Sequence, residues 1–394
     1  MKFSNIAKMV SKNRTGVDVI NTVGDAREIS KRKLPKMVWD FIDGGADGEL
    51  SIAANRRSLN DIKLRPKFLT DVSNRDISAK IFGERSELPF ILSPSGMATI
   101  AHPHGELAVA KAADRAGAIF CVSTASGYTL EEIASVSNGR LWFQLYLWGN
   151  EEVVNSLIDR AGNSGYEALV VTVDVPVVGK RERDLANGMS LPVRIRPKNA
   201  LNTLRKPKWL LGLLNGPDIT FANLAGFAAG DDASSIGEYT DRELVDQTRT
   251  WDDLEIIRKR WSGPLLVKGV MTAEDAISAV DAGADGIIVS NHGGRQMSFV
   301  PGVASIFESV VHAVGHRAEV FLDGGIRRGE DIIKARAIGA TAACGGRPWY
   351  WGLAAGGEQG VEKVLSVLAA DVDRTLALLG EEKFVNISEH YLYR

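Results

Sequence analysis

Eight short apolar segments constrain the fold of this chain more than any other feature of its sequence. Each is bounded by Gly, Pro, Asp or Asn and is followed by a longer stretch with the period of a helix. Their Val, Ile, Leu and Phe content is typical of strands buried on both faces, and strand–helix alternation predicts parallel pairing with right-handed crossovers. The segments are 88–93, 118–123, 141–146, 168–174, 264–269, 286–291, 319–324 and 342–347.

Eight strand–helix units predict an α/β fold, a (β/α)₈ TIM barrel with an N-terminal helical segment. The wide gap between the fourth and fifth segments predicts a long insertion after strand 4. A doubly wound open sheet is the alternative, but its usual G-x-G-x-x-G motif is missing after the first strand, which also argues against a Rossmann-type NAD enzyme. The predicted bounds are 1–394 for a single domain, about 86–380 for its barrel and about 185–250 for the insertion.

The segment before the first strand carries one clear helix signal. Proline favours the first turn of a helix and glycine ends helices, so we predict a helix from about Pro35 to Gly44. Residues 1–30 are polar and only weakly periodic, and they give no comparable signal.

Charge and cysteine content exclude several classes of protein. Lys and Arg total 47 against 49 for Asp and Glu, so global basicity gives no support for a nucleic-acid partner. The two cysteines, Cys121 and Cys344, are too few for a disulfide framework or a Cys-rich zinc site, and we predict no metal site. We see neither a secretory signal nor an apolar run of about 18 residues, and therefore expect a cytoplasmic protein without a spanning helix.

Polar residues end most of the predicted strands or follow them closely, at the end of the barrel where TIM-barrel active sites lie. Capping of the next helix explains one such residue, but it explains the whole set poorly. The set comprises Ser123, Gln144, Tyr146, Thr172, Asp174, Lys268, Ser290, His292, Arg295, Asp323, Arg327, Gly346 and Arg347.

The segment 290–296, Ser-Asn-His-Gly-Gly-Arg-Gln, places an imidazole and a guanidinium on one glycine-containing loop. A histidine can take a proton near neutral pH, and an arginine can hold a carboxylate. If Asp174 faces His292, its carboxylate would orient the ring and stabilise the imidazolium. A purely structural histidine is the alternative.

The last two predicted strand–helix loops, 323–329 and 345–348, both combine glycines with arginines. Glycine allows backbone N–H groups to approach an anion, and Arg327 or Arg347 can hold its oxygens bidentately. Barrels commonly bind phosphate at these loops, so we predict a phosphorylated ligand or cofactor. Tight turns with surface arginines are the alternative interpretation.

These residues resemble the FMN-dependent (S)-2-hydroxy acid dehydrogenase and oxidase family, and most of all its membrane-associated (S)-mandelate and bacterial L-lactate dehydrogenases. The likeness runs from about Lys31 to about Tyr391, and the segment 290–296 is its most specific element. Shorter motifs support it in order: Leu-Pro-Lys-Met at 34–37, Phe-Gln-Leu-Tyr at 143–146, Thr-Val-Asp at 172–174, Leu-Val-Lys-Gly at 266–269 and Asp-Gly-Gly at 323–325.

The resemblance implies that His292 is the base that removes a substrate proton, with Asp174 supporting the imidazolium. Arg181 and Arg295 would hold the substrate carboxylate, and Tyr146 would hydrogen-bond the substrate. Two mechanisms are compatible with this arrangement: removal of the Cα proton, and removal of the hydroxyl proton with hydride transfer to the flavin.

The resemblance also implies FMN as the cofactor, with Lys268 beside the N1/C2 carbonyl side of the flavin, where a cation stabilises the reduced ring. Ser123, Gln144 and Thr172 would bond the pyrimidine edge. The remaining cofactor positions implied are Pro94, Ser95 and Gly96 near N5, Asp323 at the ribityl chain, Arg327, Gly346 and Arg347 around the phosphate, and Ser290 and Gly325.

Three positions depart from the family pattern. Phe41 stands where a tyrosine usually contacts the substrate carboxylate, so one hydroxyl donor worth about 1 kcal/mol is missing. Ser-Thr-Ala at 123–125 replaces a tryptophan of glycolate oxidase, which leaves room for a mandelate-like acid. Gly96 stands where many oxidases carry alanine, which favours a dehydrogenase.

The insertion has a distinctive composition, because six basic residues precede a Trp-Leu-Leu-Gly-Leu-Leu run and no acidic residue occurs between 185 and 217. Such a segment is typical of an interface with anionic lipid, although a solvated loop is the alternative. The resemblance implies peripheral attachment to the inner face of the cell membrane through 190–215, and a quinone as electron acceptor. The basic residues are Arg194, Arg196, Lys198, Arg205, Lys206 and Lys208.

The leading hypothesis is therefore an FMN-dependent dehydrogenase that converts a mandelate- or lactate-like (S)-2-hydroxy acid into the 2-keto acid. A soluble oxidase that reduces O₂ to H₂O₂ is the second hypothesis. An isomerase, or a non-catalytic barrel that binds FMN or phosphate, is the third, and it has no need for His292 beside two arginines. The resemblance further implies a homotetramer.

Overall fold

The computed structural model of the protein describes residues 16–189, 193, 195–228, 230, 232–243 and 246–393. Eight of its strands form one closed parallel barrel, in which they follow chain order and the last pairs with the first. Two further strands form an antiparallel hairpin, β1 (Ala79–Ile81) and β2 (Glu84–Ser86). The barrel strands are β3 (Phe90–Leu92), β4 (Ile119–Ser123), β5 (Leu141–Tyr146), β6 (Ala168–Thr172), β7 (Leu265–Val270), β8 (Gly286–Ser290), β9 (Glu319–Asp323) and β10 (Ala342–Gly345).

Helices surround the barrel, and they confirm the TIM-barrel class with N-terminal helices and an insertion after the fourth barrel strand. The described helices are α1 (Val23–Lys33), α2 (Lys36–Asp43), α3 (Leu50–Asp61), α4 (Gly105–Arg115), α5 (Leu130–Ser135), α6 (Glu151–Asn163), α7 (Glu182–Asn187), α8 (Pro197–Leu204), α9 (Pro207–Asn215), α10 (Ala233–Glu243), α11 (Trp251–Arg260), α12 (Ala273–Asp281), α13 (Val303–Val314), α14 (Gly329–Ala337) and α15 (Arg347–Leu379).

The barrel strands are almost wholly buried on both faces, which explains their continuous apolar sequences. Trp142, Ile288 and Phe321 pack inside the barrel. The β1–β2 hairpin closes its N-terminal end, where the Phe82 ring lies 5.8 Å from Trp142 and 6.0 Å from Phe321. The sequence did not predict this hairpin, because three-residue strands are too short to show a period.

The N-terminal segment contains one predicted helix and one that was missed. Helix α2 begins after Pro35 and ends at Gly44, as predicted. Helix α1 was not predicted, because most of its residues are polar or charged and only Val23, Ala26 and Ile29 give it an apolar face. A capping box begins it: the Thr22 hydroxyl accepts the Asp25 N–H at 3.1 Å, and the Asp25 carboxylate accepts the Thr22 N–H at 2.9 Å.

Helices α7 to α10 occupy the insertion between β6 and β7. Trp209 of α9 attaches the insertion to the body of the protein, since its Nε1 donates to the Ile100 carbonyl at 2.7 Å. On the same helix Leu214 is 72% exposed. Arg194 and other parts of the predicted membrane segment 190–215 lie outside the described residues. In the part of the chain that is described, no helix is both long and apolar enough to cross a bilayer.

Candidate active site

The C-terminal ends of the barrel strands surround a cavity of about 250 Å³. This is the end of a TIM barrel where active sites lie. The predicted site residues that line it are Phe41, Pro94, Ser95, Gly96, Ser123, Tyr146, Arg181, Lys268, His292, Arg295, Asp323, Gly346 and Arg347. Those that do not line it are Gln144, Thr172, Asp174, Ser290, Gly325 and Arg327.

His292 and Asp174 form a close pair at the cavity, with His292 Nδ1 2.9 Å from Asp174 Oδ1. A second contact fixes the backbone, because the His292 N–H donates to Ser290 Oγ at 3.1 Å. Burial lowers the pKa of His292, although Asp174 opposes this shift. The imidazole is therefore neutral near pH 7, and with Nδ1 bonded to a carboxylate its Nε2 is free to accept a proton.

Two guanidinium groups, those of Arg181 and Arg295, face the same cavity. The Arg295 Nη1 donates to the carbonyls of Phe41 (2.6 Å) and Gly44 (3.0 Å), and its guanidinium lies 5.1 Å from the Phe41 ring centroid. Burial lowers the pKa of both arginines, and repulsion from Arg181 lowers that of Arg295 further. Arg181 Nε is buried without a hydrogen-bond partner. Such a site is completed by an anion such as a carboxylate.

Lys268 lies at the floor of the cavity in a buried ionic network. Its Nζ lies 2.9 Å from Asp323 Oδ2 and donates to Ser290 Oγ at 3.0 Å. Ser290 and Ser93 each donate to the Asp323 carboxylate at 2.8 Å. Burial lowers the pKa of Lys268, but the nearby carboxylates of Asp323 and Asp174 have a larger opposite effect. The pKa of Lys268 is therefore raised. The floor thus presents a fixed cation at working pH.

Two strand-end side chains near this floor keep unused hydrogen-bonding groups. The Ser123 hydroxyl donates to Gln144 Oε1 at 3.2 Å, while Gln144 Nε2 has no partner. Thr172 Oγ1 on the neighbouring strand β6 is also buried without a partner. Buried polar atoms are rarely left unpaired, so this edge of the site is suited to a polar ligand group.

A cluster of arginines lies beside the last two strand–helix loops. Arg347 donates to the carbonyls of Gly293 (2.8 Å) and Gly44 (2.7 Å), and its Nε has no partner. Burial and the nearby charges of Arg347 and Arg56 lower the pKa of Arg327 to about 9. An anion placed here would relieve this repulsion, as expected for a phosphate site.

Arg56 was not predicted from the sequence. It lies on helix α3, and its Nη1 contacts the Gly325 carbonyl and donates to Asp331 Oδ2 at 2.6 Å. Gly325 has φ +86° and a backbone so close to α3 that an added Cβ would lie 2.8 Å from the Asn55 carbonyl. Arg56 therefore joins Arg327 and Arg347 through the packing of α3 on this loop. No local sequence pattern predicts that contact.

The sequence also missed the apolar part of the wall. Trp148, Val178 and Phe221 line the cavity together with Tyr350. The Tyr350 hydroxyl lies 2.7 Å from the Met97 carbonyl and thereby anchors the loop 94–97. Aromatic and aliphatic residues of this kind resemble core residues in a sequence, so only the fold distinguishes them.

A profile of the family described as FMN-dependent dehydrogenase matches residues 30–394. The chain belongs to this family. The (S)-mandelate dehydrogenase of Pseudomonas putida is 39% identical over 94% of this chain and 93% of that protein. Glycolate oxidase 1 of Oryza sativa subsp. indica is 40% identical over 95% of this chain and 96% of that protein. The crystal structure of the monotopic membrane protein (S)-mandelate dehydrogenase matches with a TM-score of 0.91 and 38% identity, over 95% of this chain and 99% of that one.

Membership of the family confirms the resemblance drawn from the motifs. The protein is an FMN-dependent oxidoreductase that acts on 2-hydroxy acids. The site fits FMN, because it offers a cluster of cations for a phosphate and, at Gln144 and Thr172, unpaired polar atoms for the polar edge of a ring.

Glu106, which was not predicted as a site residue, is buried next to the loop 94–97 of the cavity wall. Its Oε1 accepts the N–H groups of Ala98 (3.0 Å) and Gly127 (3.1 Å), and so joins the loop after β3 to the loop after β4. Burial raises the pKa of Glu106 to about 7. The carboxyl group therefore changes its charge within the physiological range of pH.

We predict that Glu106 makes the stability of the protein depend on pH. Its folded-state pKa of about 7 exceeds the ordinary value of 4.5, so the bound proton stabilises the folded state in acid. This stabilisation is lost as the pH rises through 7. Between pH 5 and pH 8 the free energy of unfolding of the wild type should fall by about 2 kcal/mol more than that of Glu106→Gln. Urea unfolding at the two pH values measures this difference. Parallel pH curves for the two proteins would contradict the assignment.

Proposed function

We propose that this enzyme oxidises a mandelate- or lactate-like (S)-2-hydroxy acid to the 2-keto acid, and that His292 is the base. The contact between His292 and Asp174, in a cavity that two arginines also line, carries this proposal. A neutral imidazole, a carboxylate behind it and two guanidinium groups in front of it are the groups that proton removal from a carboxylate-bearing substrate needs. A merely structural histidine would not require the arginines.

The roles proposed for the side chains are those that the resemblance implies, and their positions at the cavity support them. Arg181 and Arg295 hold the substrate carboxylate, and Tyr146 donates a hydrogen bond to the substrate. His292 Nε2 takes a proton from the substrate, and Asp174 stabilises the imidazolium that forms. When bound, FMN accepts the two electrons that leave the substrate.

The cofactor is proposed to lie between the floor and the arginine cluster. Lys268 would provide the cation beside the flavin, and Gln144 and Thr172 would bond its pyrimidine edge. The arginine cluster would hold its phosphate. The other cofactor contacts proposed are Pro94, Ser95, Gly96, Ser123, Ser290, Asp323, Gly325 and Gly346.

The wall of the cavity favours a substrate with an apolar, bulky side chain. Ala125 contributes only a methyl group, and Trp148, Val178 and Phe221 supply apolar surface around it. An aromatic ring would bury apolar area here that a lactate methyl group cannot. We therefore propose that mandelate-like acids are preferred. Steady-state assays with (S)-mandelate and (S)-lactate test this preference, which a higher kcat/KM for (S)-lactate would contradict.

Replacing Phe41 by tyrosine should strengthen substrate binding. The Phe41 ring lines the cavity and lies against Arg295, so a hydroxyl added to it can reach a bound carboxylate. The hydrogen bond gained is worth about 1 kcal/mol, so KM should fall about fivefold while kcat changes little. Steady-state kinetics with (S)-mandelate measure both constants. An unchanged KM would show that the carboxylate binds out of reach of position 41.

We propose a quinone as the electron acceptor. Gly96 and the basic, leucine-rich insertion support a dehydrogenase at a membrane, and one similar structure is that of a monotopic membrane (S)-mandelate dehydrogenase. The glycolate oxidases among the relatives favour the second candidate, an oxidase that uses O₂ and releases H₂O₂. Peroxide formation in air, compared with turnover on a soluble quinone without oxygen, separates the two.

The same observations support a cytoplasmic location, with the protein attached peripherally to the inner face of the cell membrane. The segment 190–215 would make the contact. Helix α9 presents Leu211 and Leu214 to the outside at 59% and 72% exposure. Apolar burial and basic charge together are enough for reversible attachment. We also propose a homotetramer, which light scattering of the purified protein tests.

A further inference from the structure

A second cavity, of about 490 Å³, lies between the insertion and the body of the protein. We call it the basic cavity, after the five Lys and Arg residues in its lining. Helix α9 and the residues just before it form one side of the basic cavity. The end of α1, residues 99–103 and the interruption of α15 at Gly356 and Gly357 form the other. None of its residues belongs to the active site described above.

Among the residues that the structure describes, the lining of the basic cavity is positively charged and includes no carboxylate. Among the described ion pairs, none neutralises its basic side chains. Two of the ammonium groups are fixed by backbone carbonyls, Lys33 by Ala355 and Lys206 by Arg32. Burial and the charge of Lys208 lower the pKa of Lys33, as expected for cations gathered without an anion. The basic residues are Arg32, Lys33, Arg205, Lys206 and Lys208.

The other half of the basic cavity is apolar. Ile100, Trp209 and Leu213 line it, and the bond from Trp209 Nε1 to the Ile100 carbonyl fixes the indole in the wall. Leu211 and Leu214, on the same helix, are exposed. The cavity thus has positive charge at one end and an apolar surface that continues to the outside of the protein. These two features complement an amphiphilic molecule with an anionic head.

We propose that the basic cavity binds the phosphate headgroup of an anionic membrane phospholipid, with the acyl chains running along α9. The proposal rests on the membrane attachment proposed above and adds a defined headgroup site to it. Diffuse attraction to a charged surface needs only exposed basic residues, and four of the five in the cavity lining are exposed. The cavity beside them adds a place for a single headgroup. A site of this kind makes attachment selective for the lipid headgroup.

The test uses the FMN-loaded protein and a short-chain phosphatidylglycerol below its micelle concentration, with binding followed by titration calorimetry. Gly212 lines the cavity, and a Cβ added there would meet only the Pro103 ring, 3.4 Å from Cδ and 3.7 Å from Cγ. Gly212→Leu therefore fills the cavity, and it leaves the charge unchanged. Three substitutions, Arg32→Gln, Arg205→Gln and Lys208→Gln, remove charge instead. The matched control carries Lys80→Gln, Lys259→Gln and Lys383→Gln, at exposed lysines outside the cavity.

The proposal predicts saturable binding of one phosphatidylglycerol per chain, weakened at least tenfold by Gly212→Leu and by the charge variant but not by the control. Equal affinity for short-chain phosphatidylcholine, or for inorganic phosphate alone, would overturn it. Unchanged binding in Gly212→Leu would overturn it too.

Flotation with phosphatidylcholine vesicles, with and without phosphatidylglycerol, separates this site from membrane attachment itself. If the wild type floats on anionic vesicles but does not bind the short-chain lipid, attachment stands and the headgroup site is wrong. If the wild type binds the short-chain lipid yet does not float, the site stands and the membrane attachment is wrong.

Discussion

Replacing His292 by asparagine should lower kcat by about a thousandfold with any 2-hydroxy acid that the enzyme accepts. Asparagine keeps a polar side chain of similar size, but it cannot accept a proton. Base catalysis by a positioned side chain is worth roughly 10² to 10⁴ in rate. Because Arg181 and Arg295 remain in place, KM should change far less than kcat.

Asp174→Asn is the matched comparison for His292. It keeps the imidazole but replaces the carboxylate that lies 2.9 Å from Nδ1. The rate should fall because the imidazolium loses its partner. Burial lowers the pKa of His292 and Asp174 opposes that shift, so removing the carboxylate should move the acidic limb of the pH–rate profile to lower pH. A His292→Asn enzyme with kcat within tenfold of the wild type would refute the role of His292.

Replacing Lys268 by methionine should damage both stability and turnover. The substitution leaves Asp323 charged, buried and without its cation. Breaking a buried ion pair in this way typically costs about 3–5 kcal/mol. Loss of a fixed cation at a site where negative charge develops should lower kcat at least a hundredfold. Urea unfolding and anaerobic turnover measure the two effects separately.

The double variant Lys268→Met, Asp323→Asn distinguishes the two roles of the lysine. With both charges removed, no buried carboxylate is left unpaired, so most of the lost stability should return. Turnover should remain low, because the cation is still absent. If the double variant recovered activity as well as stability, Lys268 would have only a structural role.

The barrel could be predicted from the sequence because each of its strands is buried on both faces and so leaves a continuous apolar segment. The same logic located much of the site, since Lys268 lies in the C-terminal half of its strand, Asp323 ends its strand and His292 follows one. The short hairpin and the helix α1 were not predicted, because three-residue strands show no period and few apolar residues mark the buried face of α1.

Site residues that do not follow a strand were harder to predict. Arg56 comes from a helix before the barrel, and Tyr350 from the helix after its last strand. Glu106 lies at the beginning of α4 and looks like an ordinary acidic residue in a first helical turn. Tertiary packing alone gives these three side chains their roles, and a single sequence carries no record of it.

Anaerobic mixing of the purified protein with (S)-mandelate, while the visible flavin band is recorded, tests the proposed reaction itself. We expect the band to bleach with (S)-mandelate and more slowly with (S)-lactate, and we expect His292→Asn to keep the band without bleaching. A band that neither acid changes in the wild type would contradict the proposed reaction.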